Sequence, residues 1–170
     1  MKTITHLLSS VMFGLVVFFG LASLVPNFAI ASDNADRYGH QKVVYHINYD
    51  DAKKQFGALR NIQNHINAVG AENMDIHVVL HGDGLSLLLK PESLKKVPKF
   101  KSANAVDKIT QRVDRLKLQG VHFNVCANTL KGRNVNLEED LYDAAKDDVV
   151  PSGVAELAHL QGQGFTYIRP

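Results

Sequence analysis

The 170-residue sequence predicts an α/β fold, a single three-layer domain built on a mainly parallel sheet. Three observations carry that expectation. Short β-rich apolar runs alternate with segments of helical periodicity, the pattern of strand–helix–strand units. The strand runs are almost continuously apolar, as strands covered on both faces should be. The length behind a short N-terminal export segment is that of one domain, with no internal repeat or low-complexity stretch.

The chain opens on MKTITHLLSSVMFGLVVFFGLASLVPNFAIAS. Lys2 gives a positive start, Val11–Val25 is apolar, and Ala29-Ile30-Ala31 has the small-residue form of a cleavage site. Residues 1–31 are therefore expected to be a secretory signal peptide, cleaved after Ala31, with the bacterial periplasm as destination. The alternative is a retained anchor, although the apolar stretch is short against the roughly 20 residues of a spanning helix. Residues 32–41 are polar and read as a flexible leader. The α/β domain spans 42–170.

Lys42–Asn48 is the first strand. Asp50 and Asp51 are good N-cap residues. Phe56, Leu59, Ile62, Ile66 and Val69 then recur at helical spacing up to Gly70, a C-cap. Asp75–His81 is the second strand, broken by Gly82-Asp83-Gly84, and Leu85–Leu89 reads as a short helix. A connector rich in lysine runs from Lys90 to Ser102. Val106, Ile109, Val113 and Leu116 mark a helix closed near Gly120. Val121–Val125 is the third strand and delivers Cys126. Asp147–Val150 is a fourth strand. Ser152 caps a helix that places Val154, Leu157 and Leu160 on one face, and Phe165–Ile168 is the last strand.

In open α/β sheets, ligands bind at the carboxyl ends of the strands. Here those ends are Asn48-Tyr49-Asp50, His81-Gly82-Asp83-Gly84, Cys126-Ala127-Asn128 and Pro151-Ser152-Gly153. Cys126 is the only cysteine in the chain. In an oxidising compartment an even set of cysteines would mark disulfides. A single one is buried and inert, paired with another molecule, or chemically used. Cys126 ends a strand and starts a helix, where free N–H groups and the positive dipole end favour thiolate. His81 is a candidate neighbour for it. A small buried hydrophobe is the other common fate of a free cysteine, and position alone leaves both open.

Other patterns exclude more than they suggest. Without Lys2 the chain carries 18 basic and 17 acidic residues, so there is no footprint for general nucleic-acid binding. The length suffices for a core without disulfides or metal. His77 and His81 lie on one face of a strand but roughly 13 Å apart, too far to share a metal. His46, His77 and His122 read as core or helix-facing histidines. A Cys126–His81 metal pair lacks a third ligand, so no metal site is expected. Gly82-Asp83-Gly84 is a tight turn or an anion cradle. No GxxxxGK[ST] or GxGxxG motif occurs, and no cofactor is expected. No G-x-S-x-G elbow or C-x-x-C pair is present, against a serine hydrolase or a thioredoxin-type enzyme. Lys90, Lys95, Lys96, Lys99 and Lys101 form a solvated loop or a patch for anions or an acidic partner. Glu138, Glu139, Asp140, Asp147 and Asp148 are its acidic counterpart, with contact across a subunit boundary suggested by sign alone.

The segment from Cys126 to Arg133, CANTLKGR, resembles the cysteine loop of the DsrE/DsrF-like family. So do His81-Gly82-Asp83-Gly84, the run Val150 to Leu157 (VPSGVAEL) and the run Gly164 to Arg169 (GFTYIR). The resemblance covers Lys42–Arg169 and is nearest to the secreted, poorly characterised branch. It implies a small α/β layer fold and assembly into trimers or hexamers. It also implies sulfur carried as a persulfide on Cys126 and exchanged with a thiol-bearing donor or acceptor protein. The matching edge residues, His81, Gly82, Asp83, Gly84, Asn128, Ser152 and Gly153, are then binding candidates. The sulfur-relay members are cytoplasmic and use dedicated subunits, whereas this chain reads as exported, free of the membrane after cleavage, and lacks a second cysteine. Three functions follow: a sulfur carrier or sulfurtransferase-like protein, a non-catalytic small-ligand module, or a structural oligomer.

Overall fold

A computed structural model describes residues 37–170. The segment expected to be a signal peptide, residues 1–31, and residues 32–36 of the expected leader lie outside the described residues. Residues 37–40 of the leader are exposed. Among the described residues no helix is long and apolar enough to cross a membrane.

Five strands form one parallel sheet: β1 (Gln41–Ile47), β2 (Met74–Leu80), β3 (His122–Cys126), β4 (Val149–Val150) and β5 (Thr166–Ile168). Their spatial order is β4-β3-β2-β1-β5. The helices are α1 (Ala52–Val69), α2 (Asp107–Lys117), α3 (Ala127–Arg133), α4 (Leu137–Asp140) and α5 (Gly153–Gly162).

Local chemistry sets several boundaries. Asp51 caps α1 by accepting from the Lys54 N–H at 2.8 Å, and Gly70 closes it at φ 94°. The segment after β2 is a 3-10 helix over Gly82–Leu87, earlier than the predicted Leu85–Leu89. The predicted fourth strand is shorter: Lys146–Asp148 is a 3-10 turn, and only Val149–Val150 pairs with β3.

The sheet has two unlike faces. Val43, Tyr45 and Ile47 of β1, Ile76, Val78 and Leu80 of β2, and Phe123 and Val125 of β3 point to one side. There they meet Leu59, Ile62 and Ile66 of α1 and Ile109, Val113 and Leu116 of α2. Full burial of each such side chain is worth about 1.5–3 kcal/mol. The opposite face has only Val44, Val79, Leu157, Leu160 and Phe165 as its apolar cluster, under α5. In register with Val44 and Val79 on that face lie His46, His77, His122 and Asn124. The three layers are thus a thick apolar side, the sheet, and a thin side that carries the polar strand residues.

Topology explains the division. The chain steps from β1 to β2 to β3 through α1 and α2, then returns from β4 to β5 at the far edge through α5. Right-handed crossovers taken in opposite directions put their helices on opposite faces. Leu130 and Leu137, after β3, still pack on the α1 side, whereas α5, after β4, does not. The loops after β3 and β4 therefore diverge, and a crevice opens between them.

Candidate functional site

Cys126 lies in that crevice. It is the last residue of β3 and the N-cap of α3, and it is 4 % exposed. Burial pushes the thiol pKa up. The polar donors around the sulfur, the Thr129 hydroxyl and the Gly153, Thr129 and Asn128 N–H groups, outweigh burial and leave the pKa below the ordinary thiol value. Three of those donors come from the first turn of α3 and one from the start of α5. The Thr129 hydroxyl also accepts from the Gly82 N–H at 2.8 Å, so its own proton is free to face the sulfur.

The cleft above the thiol has a volume of about 400 Å³. His81, Gly82, Asn128, Ser152 and Gly153 line it beside Cys126. Ser152 caps α5 through the Ala155 N–H. Gly153 has a steric role: a Cβ there would sit 2.7 Å from the His81 Cβ, so only glycine lets α5 approach His81. A second hollow of about 430 Å³, lined by Tyr49, Asn61 and Arg169 among others, holds no thiol or imidazole.

Asp83 and Gly84 do not line the cleft. The Asp83 carboxylate binds the Arg133 guanidinium at 2.7 Å and so orients a cleft cation. Gly84 packs beneath the loop, where a Cβ would fall 1.8 Å from the Ile47 carbonyl oxygen. Its reason is close backbone approach.

His81 opens a chain of hydrogen bonds. Its Nε2 is 2.7 Å from His46 Nε2, and His46 Nδ1 is 2.7 Å from the Tyr167 hydroxyl. The two imidazole planes differ by 16° with centroids 4.8 Å apart. Nitrogens at 2.7 Å with centroids that far apart place the rings edge to edge, so an N–H lies near the line to its partner's lone pair. His46 is pushed down to about 4, by burial first and then by His81 and Arg169. Burial also lowers His81.

A family model, the DsrE/DsrF-like family, matches residues 41–170. The chain belongs to the DsrE/DsrF-like family. Family membership supports a general role among sulfur-relay proteins. Two solved structures are similar. The protein of unknown function MTH1491 from Methanobacterium thermoautotrophicum is 29 % identical, with a TM-score of 0.60 over 76 % of this chain and 99 % of its own. The ychN protein from E. coli is 20 % identical, with a TM-score of 0.55 over the same shares, a likeness of fold. A search among curated proteins finds no match.

Within this DsrE/DsrF-like domain the structure adds residues that the sequence pattern does not reveal. Lys99 and Arg133 bring two cations to the cleft, with Thr129 and Gly132. The Lys99 ammonium donates to the Gly132 carbonyl, and the Arg133 guanidinium donates to the Lys99 carbonyl at 3.1 Å and covers the Phe100 ring. Val154 is 66 % exposed at the cleft rim, whereas the periodicity predicts it buried with Leu157 and Leu160. His122 is exposed rather than core or helix-facing, with its ring 4.9 Å from that of His77. The acidic segment finds a partner within its own subunit: Lys117 pairs with Asp143 at 3.0 Å and Asp148 at 3.7 Å. Lys90 donates to the Glu138 and Glu139 carbonyls. Among the described residues no group of three or more His, Cys, Asp or Glu converges as a metal site would require.

Proposed function

We propose that this protein is a periplasmic sulfur carrier that holds sulfur as a persulfide on Cys126. One observation supports this above the others: the Thr129 hydroxyl and the N–H groups at the starts of α3 and α5 surround the buried sulfur and hold its pKa below the ordinary thiol value in spite of burial. A thiol that only filled space would not need them. The same donors would stabilise a thiolate and the terminal sulfur of a persulfide. The thiolate attacks the sulfane sulfur of a donor, one S–S bond forms as another breaks, and the electron pair leaves with the donor. A thiol of a partner protein then takes the terminal sulfur and returns Cys126 to the thiolate. His81, Asn128, Ser152 and Gly153 shape the cleft in which both exchanges occur. The export segment supports the location, and the family resemblance supports assembly as a trimer or hexamer, which light scattering would read directly.

The test is intact mass spectrometry of protein exported to the periplasm, purified without reductant, before and after a sulfane-sulfur donor. A reductant-sensitive gain of one or more sulfur atoms, mapped to Cys126 and absent in Cys126→Ser, is expected. Sulfur gain that survives this substitution refutes the mechanism.

The 4 % exposure of Cys126 favours a second reading, a small-ligand module in which the thiol only lines the cleft. On that reading alkylation of Cys126 is slow and ligand binding survives Cys126→Ala.

A further inference from the structure

We propose that Tyr167, His46 and His81 form a proton relay from the surface to the Cys126 cleft, protonating the leaving group when sulfur is transferred to Cys126. This rests on sulfur carriage by Cys126 and adds the proton path.

The geometry is continuous. Two contacts of 2.7 Å join three side chains from β5, β1 and the end of β2. The outer member, Tyr167, is 40 % exposed and reaches solvent. The middle member, His46, is 8 % exposed and has both ring nitrogens engaged. The inner member, His81, lines the cleft with Cys126, one position beyond the Leu80–Val125 strand pair. Among the described residues its Nδ1 has no hydrogen-bond partner. Satisfying a buried imidazole accounts for the two bonds of His46. It does not account for a chain that begins at solvent and ends on a cleft-lining histidine whose second ring nitrogen has no hydrogen-bond partner among the described residues.

A neutral imidazole has one N–H and one lone pair. The chain therefore has two settings. In one, Tyr167 donates to His46 Nδ1, His46 Nε2 donates to His81 Nε2, and His81 keeps its proton on Nδ1. In the other, every bond is reversed and His81 Nδ1 is a bare acceptor. Switching moves one proton from the surface to the cleft without a persistent imidazolium. Arg169, held by Asn48 at 3.0 and 3.2 Å, adds positive potential that disfavours such a cation, as does burial.

With an alkyl hydropersulfide the step balances. The Cys126 thiolate attacks the outer sulfur, the donor S–S bond breaks, and the pair departs on the alkyl thiolate. His81 Nδ1 gives that thiolate its proton. His81 Nε2 regains one from His46, His46 Nδ1 from Tyr167, and Tyr167 from solvent. Sulfur changes carrier and nothing is oxidised overall. His81 is the catalytic acid, and His46 and Tyr167 are positioning residues.

The experiment compares two reactions of the full chain at pH 7. One is sulfur transfer to Cys126 from an alkyl hydropersulfide, whose leaving thiolate is basic. The other is attack on an aromatic disulfide, whose weakly basic thiolate departs without a proton. The readout is the ratio of the two rates, which a general loss of packing or thiol access moves little. Tyr167→Phe, at an exposed position, removes only the hydroxyl, and His46→Gln cannot pass a proton between two ring nitrogens. Both are expected to lower the ratio roughly tenfold, less than the roughly hundredfold or more lost with a general acid itself, because His81 keeps its place in the cleft. A wild-type ratio in Tyr167→Phe, with wild-type protein accepting sulfur normally, overturns the relay alone. Wild-type protein that accepts no sulfur overturns sulfur carriage and the relay with it.

Discussion

Cys126 stands under two opposed influences. Burial favours the neutral thiol, and donors from two helices favour the thiolate. Thr129 is the only side chain among those donors, so it is the place to intervene. Thr129→Val keeps the shape but removes a hydroxyl that lowers the thiol pKa and accepts from the Gly82 N–H. One hydrogen bond is worth about 1 kcal/mol, so alkylation of Cys126 at neutral pH should slow roughly fivefold. The pH profile of iodoacetamide labelling should move upward; a profile that stays in place would remove Thr129 from the account. Gly153→Ala introduces a methyl 2.7 Å from the His81 Cβ. Overpacking of this kind costs about 1–3 kcal/mol, read as a lower urea midpoint. An unchanged midpoint would mean that α5 can withdraw freely from His81.

At the scale of elements, the connector that carries Lys99 is tied down by a buried polar network. Gln55, in the first turn of α1, is fully buried and donates to the Ser86 hydroxyl at 2.9 Å and the Tyr49 carbonyl at 2.6 Å. Asn104 donates to the Gln55 side-chain oxygen at 2.8 Å and to the Asp50 carbonyl at 2.9 Å. α1, the turn after β2 and the connector are thereby fixed at the carboxyl edge of the sheet. Gln55→Ala strands several of these partners without water, at about 1–3 kcal/mol for each group left unsatisfied. Chemical denaturation should show the loss, and proteolysis should reach the connector first. Equal resistance of the connector in wild-type and variant protein would show that its own apolar anchors, Val97 and Phe100, suffice. The sequence pattern hides this network because Gln55 is polar, although it lies one turn before Leu59 on the same buried face. Only its long-range partners make a buried glutamine favourable.

Across the whole molecule, the histidines of the sheet make stability depend on pH. His46 is held near 4 by burial, then by His81 and Arg169, and burial lowers His81 and His65 as well. In the unfolded chain each titrates near 6.5. Between roughly pH 6.5 and 4 the unfolded chain binds more protons, so stability is complete above that window and falls as pH drops through it. His46 alone should account for a loss on the order of 2 kcal/mol by pH 5. The urea midpoint should fall between pH 7 and pH 5 and fall less in His46→Gln. A midpoint that is flat over that range would contradict the buried, neutral state of His46.

The linear order of residues was enough for whatever is encoded locally. Periodicity placed α1 and α2, apolar runs placed the five strands though the fourth too long, Asp51 and Ser152 announced their caps, and strand ends put Cys126 and His81 on one edge. Each of these depends on neighbours a few positions apart, and so on forces that act along the chain. The polar face of the sheet, the cations of the cleft and the histidine chain arise otherwise. The return of the chain from β4 past three strands sets β5 against β1, and brings Tyr167 to His46 across 121 positions. The same reversal moves α5 to the thin face, exposes Val154 and opens the crevice at Cys126. Such pairings depend on which edge a strand joins. That choice is made by the packing of the whole sheet and the handedness of its crossovers, which no short window of sequence contains.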